Sequence, residues 1–91
     1  MDILDSNLTP SVQAIESSVG DETVLLNLEN GTYYGLDPVG TRIWELLKEG
    51  KTPAEICPLL VAEYEVETEV IENDLRRFLA DLKEHGIVID G

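Results

Sequence analysis

The stretch Glu22-Thr-Val-Leu-Leu-Asn-Leu-Glu-Asn-Gly-Thr-Tyr-Tyr-Gly-Leu-Asp-Pro38 constrains this chain more than any other, because it reads as a β-hairpin running straight into a helix. Asn30-Gly31 lies between two apolar-rich runs and tolerates the positive φ angles that a two-residue type I′ turn needs at both central positions. That turn sets Glu29 opposite Thr32, Leu28 opposite Tyr33, Asn27 opposite Tyr34, Leu26 opposite Gly35 and Leu25 opposite Leu36, with successive pairs on alternate faces. The second strand, Thr32 to Leu36, carries no charge and no proline. Those are the residues that usually blunt a sheet edge against other chains. Gly35 has no side chain, so a second backbone can approach closely there. Such an edge is either covered by the rest of its domain or open to an extended peptide that adds as a further strand.

With 91 residues, 43% of them hydrophobic, the chain fits one small domain over 1–91, with residues up to Thr9-Pro10 as a flexible leading tail. Nineteen acidic against six basic residues give a formal charge of -13. That field repels phosphate backbones and anionic membrane surfaces and favours cationic partners. Thr52 to Leu75 alone holds seven carboxylates and no lysine or arginine, a pattern that commonly marks a solvated helical face. A single cysteine, Cys57, allows no intramolecular disulfide. The N-terminus is acidic where a secretory signal is basic, and no apolar run approaches the roughly 20 residues of a membrane span, so a cytoplasmic chain is expected.

Val12-Gln-Ala-Ile-Glu16 suggests a strand ahead of the Gly20-Asp21 turn, which with the hairpin makes a three-stranded antiparallel meander. In the simplest order, 1-2-3, Thr32–Leu36 lies at the edge. Asp37-Pro38 starts a helix, with Val39, Ile43, Leu46 and Leu47 on one face, Trp44 beside them as a core or rim anchor, and Gly50 as the stop. Thr52-Pro-Ala-Glu55 reads as a capping box, followed by a second helix carrying Ile56, Leu59, Leu60 and Tyr64 inward. Pro58 removes a donor from that helix, which is therefore expected to be short, kinked or late in starting. From about Glu67 to His85 a third helix places Ile71, Leu75, Phe78, Leu79 and Leu82 at spacings of three and four, ended by Gly86. Ile87-Val-Ile89 fits a short terminal strand. The expected fold class is α+β: a three-stranded antiparallel sheet followed by a three-helix bundle.

The chemistry of catalysis is sparse. His85 is the one histidine and sits in the last turn of a helix, where an imidazolium meets the negative end of the dipole. No Cys/His cluster, glycine-rich phosphate loop or nucleophile elbow is present, and the Glu63–Asp74 carboxylates lack the pattern of a calcium loop. No enzyme activity, cofactor or metal is expected.

The run V-L-L-N-L-E-N-G-T-Y-Y-G-L-D-P-V-G-T-R-I-W-E-L-L resembles the PqqD family, and T-P-A-E-I and D-L-R-R-F-L-A-D-L-K-E-H-G-I-V resemble that family's second and third helices. The resemblance covers roughly residues 12–90. It implies a winged-helix-like recognition element that captures the leader segment of a ribosomally made, later modified peptide and presents it to modifying enzymes. In such modules the leader adds antiparallel to the third strand and lies against the third helix. Carried over by position, the peptide-binding residues are Thr32, Tyr33, Tyr34, Gly35 and Leu36 on the strand, with Val70, Asp74, Arg77, Phe78 and Asp81 on the helix. Pockets around Tyr34, Leu36 and Phe78 supply specificity, Asp74 and Asp81 attract basic residues, and Arg77 attracts an acidic one. The wording of the central run is closer to the stand-alone proteins of lasso-peptide pathways, which work with a leader peptidase, than to the pyrroloquinoline-quinone chaperone that serves a radical enzyme.

Two further classes compete. A winged-helix DNA binder needs a basic recognition helix, whereas Arg76, Arg77 and Lys83 are outnumbered by Glu69, Glu72, Asp74, Asp81 and Glu84. An acidic adaptor docking through its helices predicts an edge strand that plays no part in binding.

Overall fold

The computed structural model describes residues 2–91. Three strands, β2 (Ala14–Val19), β3 (Glu22–Asn27) and β4 (Thr32–Leu36), form an antiparallel sheet in the order β2-β3-β4. The expected meander and its edge strand are therefore present. The first strand starts at Ala14 rather than Val12, because the Ser11 hydroxyl accepts from the Gln13 amide and the Ser11 carbonyl from Ala14. That turn consumes Val12 and Gln13 before pairing begins.

The hairpin register differs from the one the Asn30-Gly31 turn implied. Asn27 pairs with Thr32, Leu26 with Tyr33, Leu25 with Tyr34, Val24 with Gly35 and Thr23 with Leu36. The loop is thus four residues, Leu28 to Gly31, and not two. Asn27 is the cause: its Oδ1 accepts from the Glu29 amide at 2.9 Å, turning the chain two residues early. Gly31 closes the loop at φ 71°, donating to the Asn27 carbonyl. A shift of two residues preserves the alternation of faces, so every β4 side chain keeps the face expected of it.

The leading segment is not a free tail. Ile3–Asp5 forms a 3-10 turn capped by Asp2, and β1 (Leu8–Pro10) pairs antiparallel with β5 (Val88–Asp90) in a second, two-stranded sheet. Leu4 and Leu8 are buried in the core. Arg76 holds Asp2 through two guanidinium nitrogens at 3.0 and 2.8 Å, a fork geometry that keeps the Asp2 carboxyl below its usual pKa. Met1 lies outside the described residues.

Three helices follow: α1 (Pro38–Lys48), α2 (Pro53–Tyr64) and α3 (Thr68–Glu84). Asp37 caps α1 through the Gly40 amide at 2.6 Å, and Thr52 with Glu55 forms the full reciprocal capping box on α2. Pro58 interrupts nothing: α2 is continuous, because Pro58 and Ala54, whose carbonyl loses its donor, both face solvent. Ile43, Leu46 and Leu47 of α1, Ile56 and Leu60 of α2, and Ile71, Leu75, Leu79 and Leu82 of α3 join Leu25, Leu36 and Ile87 in one core. Leu59 and Tyr64 are over a third exposed, so α2 presents a narrower apolar face than its sequence suggested. Trp44 is buried, as an anchor, with its Nε1 donating to Glu16 Oε1 at 2.7 Å. No helix of the described residues is long and apolar enough to cross a membrane.

Candidate peptide-binding cleft

Strand β4 has a hydrogen-bonded neighbour on one side only. Its other side presents alternate N–H and C=O groups without ladder partners. Tyr33 is 71% exposed and Gly35 is exposed, with no atom within 4 Å of where a Cβ on Gly35 would stand. Leu36 is 6% exposed and packs into the core, so at this position the strand offers a visiting chain mainly its backbone.

Beside this edge runs a cleft of about 360 Å³ lined by β4, the first half of α1 and the Asp74–Asp81 stretch of α3. Tyr34 forms its floor. The Tyr34 ring meets Phe78 edge-on at 6.0 Å and His85 at 5.4 Å, and its hydroxyl donates to Asp81 at 3.4 Å. Burial, reinforced by the Asp81 charge, pushes the Tyr34 phenol above its ordinary pKa. Asp74, Arg77, Phe78 and Asp81 all line the cleft. Val70, half exposed one turn before Asp74, lies outside that lining.

The α1 wall went unread in the sequence. Val39, Gly40 and Ile43 line the cleft, and a Cβ on Gly40 would stand 3.1 Å from Phe78 Cε1 and 3.1 Å from Asp37 Oδ1. A glycine inside a helix is the signal that was available, since helices keep one mainly where something packs close. Asn27 is 2% exposed, a buried polar side chain that strand alternation alone does not explain. Its Nδ2 donates to the His85 carbonyl at 2.8 Å, tying the hairpin to the end of α3. Because Gly86 sits at φ 72° and a Cβ there would stand 2.7 Å from the Asn27 Nδ2, the tie, the turn and the helix stop form one unit.

The outer face of the sheet carries a second feature. Ile15, Leu26 and Tyr33 stand in one cross-strand row, with Val19 and Val24 on the same face. Ile15 and Val19 are 44% and 61% exposed. This apolar face is continuous with the open edge through Tyr33.

Residues 22–88 match the family described as coenzyme PQQ synthesis protein D, and the chain belongs to this PqqD family. Two solved structures share its fold. TbiB1 in complex with the TbiA(beta) leader peptide is 46% identical, with 88% of this chain and 93% of that one covered and a TM-score of 0.81. A lasso peptide synthetase B1 complexed with the leader peptide is 27% identical, with 92% and 99% covered and a TM-score of 0.82. No curated protein matches the sequence.

Proposed function

We propose that this protein binds the leader segment of a ribosomally made precursor peptide by adding it as an antiparallel strand to β4, above the α3 cleft. The observation that carries this reading is the uncharged, unpartnered β4 edge lying beside an aromatic-floored cleft. Main-chain pairing to Thr32, Tyr33, Tyr34, Gly35 and Leu36 supplies register, while Tyr34, Phe78, Asp74, Arg77 and Asp81 receive alternate side chains, with Val70 one turn before Asp74. Both similar structures hold leader peptides, and one is a lasso peptide synthetase component, which favours a lasso pathway over the quinone-cofactor pathway in the family's description.

In this reading the protein acts by recognition, holding the leader for a separate enzyme. Its partner is a leader peptidase of the same pathway, which docks on the apolar outer face of the sheet. The support is that face's continuity with the peptide edge: a strand added to β4 extends the same surface, so one docking event covers protein and leader together. DNA is a poor alternative, because Asp74 and Asp81 flank Arg77 on the exposed face of α3.

The test is a fluorescence-anisotropy titration with labelled leader segments of short precursor peptides encoded beside the gene, against scrambled controls. Saturable binding at micromolar concentration or tighter, about -8 kcal/mol, supports the reading. Equal affinity for scrambled sequences refutes it.

A further inference from the structure

Resting on the leader-binding reading, we propose that Arg77 is the receptor for a carboxylate on the bound peptide, so that the cleft selects a leader carrying Asp or Glu at the α3-facing position beside it. The starting observation is the state of the cations. Of six basic residues, Arg42 pairs with Glu63, Lys48 with Glu16, Arg76 with Asp2 and Lys83 with Asp90. Arg77 makes no ion pair among the described residues, although its chain carries a formal charge of -13 and Asp74 and Asp81 lie within one turn of it. Lys51, the other cation outside these pairs, sits in the α1–α2 connection, away from the cleft.

Neither neighbouring carboxylate serves as its partner. Asp81 accepts from the Tyr34 hydroxyl, and among the described residues neither Asp74 nor Asp81 forms an ion pair with Arg77. A guanidinium offers five donors in a fixed fork that matches a carboxylate edge, and one left unengaged inside a peptide cleft has its recognition capacity in reserve.

The geometry also limits where that acid falls. On α3 the rise from Asp74 to Arg77 is about 4.5 Å and from Arg77 to Asp81 about 6 Å. A strand turns every second side chain toward the helix, about 6.6 Å apart. To a leader running along α3 the helix therefore presents minus, plus, minus at close to the two-residue period of a strand. The complementary leader carries its acid at the middle position, and an acid two residues to either side meets repulsion.

The experiment selects binders from a display library of random 20-residue peptides on the wild-type protein, on Arg77→Gln and on Arg77→Glu. Arg77 is exposed, so both variants are expected to keep the wild-type melting temperature. Wild type is expected to enrich peptides with Asp or Glu at one fixed position of the strand-forming segment. Arg77→Glu shifts that position to Lys or Arg, and Arg77→Gln leaves it without preference while the other selected positions persist. For one enriched peptide, Arg77→Gln and the peptide's own Glu→Gln each weaken binding about tenfold, and together no more than either alone. Enriched peptides without a fixed acid, or an affinity indifferent to Arg77→Gln, overturn the proposal and leave leader binding standing. Failure of the folded wild-type protein to enrich any peptide over a scrambled pool removes the leader-binding reading, and this inference with it.

Discussion

Replacing Asn27 tests the tie between the hairpin and the end of α3. Asn27 is 2% exposed and its amide spans two elements, accepting from the Glu29 amide at 2.9 Å and donating to the His85 carbonyl at 2.8 Å. Asn27→Ala leaves both backbone groups unpartnered at part-buried positions. At about 1.5 kcal/mol for each orphaned group the loss is about 3 kcal/mol. A domain of this size has about 5–14 kcal/mol in total, so the variant still folds. At about 4–8 °C per kcal/mol, its melting temperature falls by about 12–24 °C.

Asn27→Asp separates the two bonds. The carboxylate still accepts from Glu29 but faces the His85 carbonyl without a donor, and protonation restores one. Burial raises the carboxyl's folded-state pKa above its unfolded value. The stability held by the protonated form is then present at low pH and lost as pH rises through the folded pKa, so the deficit relative to wild type shrinks on acidification. Thermal melts by circular dichroism at about pH 4 and pH 7 read both effects. A fall under about 4 °C for Asn27→Ala, or an Asn27→Asp deficit indifferent to pH, refutes the tie between hairpin and α3.

Four other outcomes are expected. Gly40→Ala gains up to about 1 kcal/mol of helix propensity but pushes a methyl to 3.1 Å from Phe78; stability therefore changes little while leader affinity drops several-fold in the anisotropy assay. Spectroscopic titration shows a phenol ionising above the ordinary tyrosine value that disappears in Tyr34→Phe, since Tyr34 is held neutral by burial and by Asp81. Glu16, kept below its usual pKa by Lys48 and then Trp44, adds stability that is present above its unfolded pKa and lost as pH falls through its folded one; urea midpoints of Glu16→Gln accordingly decline less than wild type between about pH 5 and pH 2. Ile15→Ser with Val19→Ser leaves leader affinity unchanged and abolishes processing by the partner peptidase; retained processing refutes the docking face.

The elements were legible where local chemistry decides them. Asp37-Pro38, the Thr52–Glu55 box and the α3 periodicity each produced the helix that their residues specify. The uncharged β4 edge was readable because strand blunting is a matter of residue type. What failed was decided by partners distant in sequence. Asn27 overrode the Asn30-Gly31 turn because its amide finds both Glu29 and, 58 residues away, His85. Leu4 and Leu8 fold the leading segment because β5 and Arg76 wait for it at the other end of the chain. Leu36 stands on the edge strand, yet its side chain packs into the core, a placement that only the folded sheet reveals. The α1 wall of the cleft needed the packing of Gly40 against Phe78, which no spacing along the chain reveals.

The claim at the centre of this account is that a leader pairs with β4, and hydrogen exchange read residue by residue on the labelled protein tests it most directly. On saturation with a leader, the outward amides among Thr32 to Leu36 are expected to slow by at least about tenfold, with α3 resonances at Arg77, Phe78 and Asp81 shifting together. Saturable binding that leaves exchange at Thr32–Leu36 unchanged and protects α2 instead contradicts strand addition and favours an adaptor that docks through its helices.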